Sequence, residues 1–190
     1  MKKLTENEII ESVKKGNHGD FALLVDLYKD RAYNLLKKML KNEMDAEEAL
    51  QDSFLKVFNS LKDFRGDSKF STWLYRIVYN TALTIISSKK RKIIMEMSSV
   101  DDHYNLGDDF NIYSQTENYN EYIFKLVDKL PVRNALVIIL FYIDELSLNE
   151  ISNVLGISLV NTKVLLHRSR NTLRDLVLKH NYQEVLLWKN

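Results

Sequence analysis

The sequence predicts an all-α protein of two small helical domains joined by a flexible acidic linker, the second domain containing a helix-turn-helix. Helix breakers are scarce, with one proline and five glycines among 190 residues. Apolar residues recur every three or four positions, which is the spacing of amphipathic helices. The pattern stops near residue 96 and returns near residue 120. It therefore predicts domains at 1–95 and 120–180, a linker at 96–119 and a tail at 181–190.

Residues 4–40 predict two helices separated by the polar, glycine-containing stretch 15–20. Asp20 is positioned to cap the second helix, because its carboxylate can accept from first-turn amides. His18 stands alone in the turn, and we expect a solvated loop histidine there.

Residues 45–62 predict a third helix, with Asp45 as N-cap and Glu48 three positions later. Its apolar stripe leaves one face composed of Glu47, Glu48, Gln51, Asp52 and Leu55. An acidic first turn favours the helix dipole and accounts for the two glutamates. It does not account for the other three residues.

A polar loop then runs directly into the next helix, which Ser71 or Thr72 can cap. The residues expected to be buried are Leu74, Ile77, Val78, Thr81 and Ile85. Those left on the opposite side are Tyr75, Arg76, Tyr79 and Asn80. Aromatic rings, a guanidinium and an amide suit unstacked bases, but a tyrosine-rich helix packing against another protein has the same composition.

Four cations, Lys89-Lys90-Arg91-Lys92, end this stretch and suit either the helix dipole or a DNA backbone. The linker has acidic residues and no lysine or arginine. Its group Asp101, Asp102, His103, Asp108 and Asp109 offers metal ligands, but no fold signal fixes the backbone there. The chain has no cysteine, which excludes disulfides and thiolate metal sites. We therefore predict no metal and no cofactor.

The second domain shows the pattern of a helix-turn-helix. Pro131 marks a helix start, Ser147 and Glu150 form a capping box, Gly156 makes the turn, and Ser158 caps the last helix.

The last helix presents a basic outer face. Its inward positions are Thr162, Leu166, Ser169, Leu173 and Leu176. Its outward and flanking positions are Asn161, Lys163, Val164, Leu165, His167, Arg168 and Arg170. Such a face suits the major groove, where Arg168 can bind guanine and Asn161 adenine, with Lys163 and Arg170 on phosphates. The whole chain has a formal charge of only +1, so the charge distribution carries this argument.

Two long segments resemble the extracytoplasmic-function, or group IV, sigma factors of bacteria. FRGDSKFSTWLYRIVYNTA is similar to the promoter-melting segment, and LPVRNALVIILFYIDELSLNEISNVLGISLVNTKVLLHRSRNTL to the minus-35 module. The resemblance covers roughly residues 5–95 and 120–178. It implies a cytoplasmic transcription initiation factor, not an enzyme, whose partners are promoter DNA and the β′ clamp helices and β flap of core RNA polymerase.

The resemblance also implies roles for particular residues. The helix DAEEALQDSFLKVF would dock on the clamp helices through Glu48, Gln51, Asp52 and Leu55. The loop from Phe64 to Phe70 would form a pocket for one flipped minus-10 base. The minus-10 contacts would be Phe64, Arg65, Asp67, Ser68, Lys69, Phe70, Trp73, Arg76 and Asn80. The minus-35 contacts would be Asn161, Lys163, Val164, Leu165, His167, Arg168 and Arg170.

Two residue assignments and two rival functions stay open. Trp73 suits either base stacking or the core. Leu165 replaces an arginine common in the family, so Val164 and Leu165 would meet thymine methyl groups or an anti-sigma protein. A stand-alone helix-turn-helix regulator would leave FRGDSKFSTWLYRI unexplained, and a helical interaction module would show no salt-dependent DNA binding.

No apolar run approaches the ~18 residues of a membrane helix.

Overall fold

A computed structural model describes residues 4–97 and 126–179, with residues 91–97 and 179 described by their backbone alone. The described residues contain helices and no strand, which confirms the all-α prediction. The chain divides into two compact units, Met1–Gly107 and Asp108–Asn190, and the division lies inside the predicted linker. Most of that linker, the acidic group considered as a metal site and the tail at 181–190 lie outside the described residues.

The described residues of the first unit form a bundle of four helices with two 3-10 turns. The helices are α1 (Glu6–Lys14), α2 (Phe21–Leu40), α3 (Glu43–Ser60) and α4 (Phe70–Met97), and the turns are η1 (His18–Asp20) and η2 (Leu61–Asp63). Helices α2, α3 and α4 pack against one another, and α1 packs on α2. Helix α4 continues two residues beyond the predicted domain boundary at residue 95.

Two capping predictions for this unit differ from the structure: Asp45 is not the N-cap of α3, and Asp20 is the N-cap residue of α2 but its side chain does not cap the helix. Helix α3 begins at Glu43 because Asn42 is its cap, with the Asn42 Oδ1 accepting the Asp45 N–H at 2.9 Å. Asp45 is therefore inside the first turn, where it forms an ion pair with Lys89 of α4. Asp20 makes no capping hydrogen bond, because its carboxylate accepts from the Ser12 hydroxyl instead.

The start and the outer face of α4 also differ from the prediction. The helix begins at Phe70, so Ser71 and Thr72 lie inside its first turn and do not cap it. Leu74, Val78 and Thr81 are buried as predicted, but Tyr75 and Tyr79 are also buried, at 1% and 5% exposure. Helix α4 packs against both α2 and α3, and a helix with two neighbours buries a wider stripe than one with a single neighbour.

The second unit contains α5 (Val132–Tyr142), α6 (Leu148–Leu155) and α7 (Leu159–Lys179). Pro131 precedes α5 as its cap residue. Ser147 and Glu150 form the predicted capping box, with the Ser147 N–H donating to Glu150 Oε2 at 2.7 Å. Gly156 ends α6 in the left-handed conformation, with a φ of +64°. The Ser158 hydroxyl accepts the Asn161 N–H at 3.2 Å, so the helix-turn-helix prediction is confirmed at each of its turns.

Candidate functional site

Helix α3 presents an exposed acidic face. Its inner side is fully buried at Ala46, Ala49 and Val57. The exposed residues on its other side are Glu47, Glu48, Gln51, Asp52 and Leu55. Leu55 is 59% exposed, so burial in the bundle does not explain an apolar residue there. A face that combines carboxylates with an exposed apolar side chain is complementary to a partner surface that carries basic and apolar groups.

The loop that precedes α4 is held at its two ends. In the described structure no backbone hydrogen bond reaches residues 65–68. At the first end, the Phe64 N–H donates to the Leu61 carbonyl at 3.1 Å. At the other end, the Trp73 N–H donates to the Lys69 carbonyl at 3.2 Å. Between them Gly66 has a φ of +78°, a conformation that side chains other than glycine's disfavour.

An aromatic cluster supports both ends of the loop. The centroid of the Phe64 ring lies 5.7 Å from that of Phe70 and 5.1 Å from that of Trp73. Tyr28 of α2 lies 5.6 Å from Phe70. Phe64 and Phe70 are only 9% and 2% exposed, so most of each ring belongs to the core of the unit. Trp73 is half-buried, so part of its ring belongs to the core and part faces solvent.

An open cavity of about 620 Å³ lies beside the loop, within the usual size range of ligand clefts. Its lining residues are Glu6, Asn7, Tyr28, Phe64, Gly66, Ser68, Lys69, Phe70 and Ser71. The predicted loop residues therefore form one wall, and α1 and α2 form the other. Sequence reasoning missed Glu6, Asn7 and Tyr28. The Tyr28 hydroxyl donates to the Glu6 carboxylate and so joins α2 to α1 at this wall.

The remaining minus-10 candidates lie outside this cavity. Arg65 and Asp67 are exposed on the loop, and Arg76 and Asn80 are exposed on α4. Arg76 and Asn80 are four residues apart and so share one helix face. The predicted guanidinium and amide are exposed on that face, whereas Tyr75 and Tyr79 are buried in the core.

Helix α7 carries the minus-35 candidates. Thr162, Leu166 and Ser169 are buried as predicted. The exposed candidates are Asn161, Lys163, Val164, His167, Arg168 and Arg170. Leu165 is half-buried, so it offers less apolar surface than predicted.

Two of the exposed minus-35 candidates on α7 have side-chain contacts inside the unit. The Arg170 guanidinium carbon lies 5.3 Å and 5.4 Å from the ring centroids of Phe141 and Tyr142, a cation–π geometry. The His167 Nε2 lies 3.2 Å from the Asn171 amide nitrogen. Arg168 is exposed, and among the described residues its guanidinium makes no hydrogen bond, ion pair or ring contact, so it is available to a ligand.

Neither a membrane-spanning segment nor a metal cluster is found in the part of the chain that the structure describes. None of the described helices combines the length and apolarity needed to cross a bilayer. The described residues also bring together no group of three or more histidine, aspartate or glutamate side chains that could hold a metal ion.

Two family models match the chain. Sigma-70 region 2 matches residues 24–92, and Sigma-70 region 4 matches residues 120–173. The first covers most of α2, all of α3 and the loop, and most of α4. The second covers α5, α6 and most of α7. Helix α1 lies outside both matches.

Relatives of similar length match nearly the whole chain. The chain is 35% identical over 178 residues to the ECF RNA polymerase sigma factor SigW of Bacillus subtilis, covering 87% of this chain and 92% of that protein. It is 28% identical to the ECF RNA polymerase sigma-E factor of Salmonella typhimurium, over 92% and 95% of the two chains. The sigma factor RpoE of Bartonella quintana, solved with the anti-sigma factor NepR, shares the fold at a TM-score of 0.64 and 20% identity, over 83% and 96% of the two chains. The chain therefore belongs to the extracytoplasmic-function (ECF) family of sigma-70 factors, and it is a transcription initiation factor that directs core RNA polymerase to specific promoters.

Proposed function

We propose that the three surfaces described above divide the work of initiation. The acidic face of α3 binds the β′ clamp helices of core polymerase, the loop with the outer face of α4 opens the minus-10 element, and α7 binds the minus-35 element. The observation that carries the proposal is the open cavity beside the loop. Polar and charged side chains line it together with aromatic rings, a combination suited to one unstacked base.

The polymerase contact combines charge with apolar burial. Glu48, Gln51 and Asp52 are exposed and would meet basic residues of the clamp helices, while Leu55 would be buried between them. The β flap would contact the second unit. Sigma factors are not enzymes, and we propose that this chain has no catalytic activity of its own and acts in the cytoplasm.

Promoter opening requires base capture, which costs a few kcal/mol for each base that leaves the stack. The loop would hold the captured base in the cavity through Ser68 and Lys69. Arg76 and Asn80 would contact the adjoining nucleotides, with the amide on a base edge and the guanidinium on a phosphate.

Asn80→Ala tests this assignment. Loss of one amide contact to a base is worth about 1–3 kcal/mol, so promoter opening by the holoenzyme should slow by roughly 5- to 150-fold. Core polymerase affinity should not change. Asn59→Ala is the matched control, because Asn59 is also an exposed asparagine of this unit but lies on α3. Equal loss of core binding and opening in Asn80→Ala would contradict the assignment.

The minus-35 preference is expected to reflect the apolar positions of α7. Val164 is 42% exposed and Leu165 is half-buried, so Val164 is the better placed of the two to meet a thymine methyl group. Binding selection from randomised duplexes with wild type and Leu165→Arg holoenzymes tests whether position 165 also contacts a base. Identical selected sequences would mean that position 165 makes no base contact.

An anti-sigma protein is a second proposed partner. The Bartonella quintana structure is a complex with an anti-sigma factor, and Val160 and Val164 leave apolar surface at the start of α7, at 69% and 42% exposure. An anti-sigma protein bound there would cover the DNA-binding face.

A further inference from the structure

We infer that Lys14, at the end of α1, is a positioning residue that fixes the loop for base capture. The inference rests on the proposed role of the loop in opening the minus-10 element. It adds a residue from a helix that lies outside the part of the chain matched by the region 2 model, residues 24–92.

The contact between Lys14 and the loop is specific and long-range. The Lys14 Nζ donates to the main-chain carbonyl of Phe64 at 2.9 Å, across 50 positions of sequence. The same ammonium lies 5.7 Å from the centroid of the Phe64 ring. Its side chain is only 23% exposed, so solvent competes weakly for this contact.

Helix α1 is built to hold the ammonium in place. At its start, Thr5 and Glu8 form a capping box, and the Thr5 N–H, donating to Glu8 Oε2 at 2.7 Å, lowers the pKa of that carboxyl. One turn before its end, Glu11 pairs with Lys14 at 3.1 Å. An ammonium has three donors, so Lys14 can satisfy Glu11 and the Phe64 carbonyl together.

Fixing the Phe64 carbonyl sets the direction in which the loop leaves. The carbonyl of Phe64 and the N–H of Arg65 belong to one planar peptide group, so a hydrogen bond to the first orients the second. The next residues, 65–68, receive no backbone hydrogen bond in the described structure. Lys14 therefore holds the last fixed peptide group before the unsupported part of the loop, whose residues Gly66 and Ser68 line the cavity.

Three substitutions distinguish a role of Lys14 in positioning the loop from a general effect of its charge and from an effect on folding. Lys14→Met keeps a long unbranched side chain and removes the donor. Lys14→Arg restores a cationic donor. Lys62→Met removes one positive charge from the neighbouring turn η2, where Lys62 is exposed and has no recorded contact with the loop among the described residues.

The test measures opening of a duplex promoter by holoenzyme carrying each variant. The promoter is one recovered by run-off transcription from genomic fragments, and each minus-10 base of the non-template strand is replaced in turn by an abasic site. In wild type, one abasic position is expected to slow opening most, and it marks the captured base. Thermal unfolding and core polymerase affinity of each variant are measured alongside.

On the intact promoter Lys14→Met should open about tenfold more slowly, the smallest loss expected for a charge-assisted hydrogen bond. On the promoter that lacks the captured base, holoenzyme carrying Lys14→Met should open the duplex as fast as wild-type holoenzyme does. Lys14→Arg should recover most of the loss, and Lys62→Met should behave as wild type. A general structural defect would instead slow opening equally on both promoters.

The inference is overturned if removal of the captured base slows opening by Lys14→Met as much as it slows opening by wild type. It is also overturned if Lys62→Met slows opening of the intact promoter as much as Lys14→Met does. Either result would leave the proposed role of the loop intact. If wild type itself shows no position at which base removal slows opening, the proposed base capture fails and the role of Lys14 fails with it.

Discussion

Replacing Leu55 by glutamine should weaken binding to core RNA polymerase without weakening the fold. Leu55 is 59% exposed on the acidic face of α3. Glutamine has nearly the helix propensity of leucine, so α3 itself should be little affected. The free energy of unfolding of the free protein should change by less than about 0.5 kcal/mol, as is usual for exposed positions.

The size of the binding effect follows from the exposed area. Burying a whole leucine side chain is worth about 1.5–3 kcal/mol. If docking buries the 59% that the bundle leaves exposed, the loss is roughly 0.9–1.8 kcal/mol, or about a 5- to 20-fold rise in Kd. The effect should be insensitive to salt. The loss of core polymerase affinity caused by Glu48→Gln or Asp52→Asn should instead become smaller as the salt concentration rises, because salt screens exposed charge pairs.

Fluorescence anisotropy of labelled protein titrated with core polymerase, at two salt concentrations, measures these effects. Leu83→Gln is the matched control, because Leu83 is also an exposed leucine, at 41%, but lies on α4 and not on α3. The reasoning is refuted if Leu55→Gln binds core as tightly as wild type, or if Leu83→Gln weakens binding equally.

Three further predictions concern folding and DNA binding. Tyr75→Ala should lower the free energy of unfolding by about 3–5 kcal/mol, because truncating a large aromatic side chain in a core has that cost. The exposed control Arg76→Ala should change it by less than about 0.5 kcal/mol. Similar urea midpoints for the two variants would contradict the burial of Tyr75. Ser147→Ala should cost about 1 kcal/mol through loss of the α6 cap, seen as faster hydrogen exchange of the α6 amides, while the exposed control Asn149→Ala should leave exchange unchanged. Lys163→Ala should reduce the slope of log K against log salt for promoter binding by about 0.9; an unchanged slope would remove Lys163 from the phosphate contacts.

The parts of the fold that the sequence predicted are those decided by neighbouring residues. The Ser147–Glu150 box, the left-handed Gly156 and the Ser158 cap each involve residues within four positions of one another. Where two capping residues compete locally, the prediction failed. Asn42 caps α3 in place of Asp45, so the helix starts three residues earlier than a cap at Asp45 would allow.

Long-range packing accounts for what the sequence did not reveal. The burial of Tyr75 and Tyr79 follows from α4 meeting two helices at once, and the periodicity of one helix does not report how many neighbours it has. The second wall of the cavity and the contact of Lys14 with Phe64 join residues far apart in sequence. The sequence pointed to the loop as the site but carried no signal that α1 supports it.

Run-off transcription tests the central claim most directly. The protein is mixed with bacterial core RNA polymerase and a pool of promoter fragments from the source genome, with core alone as the control. The account predicts new, discrete start sites that require the protein, sharing one minus-35 and one minus-10 element. A protein that does not bind core polymerase and adds no start site would contradict the account, and it would favour a stand-alone helix-turn-helix regulator.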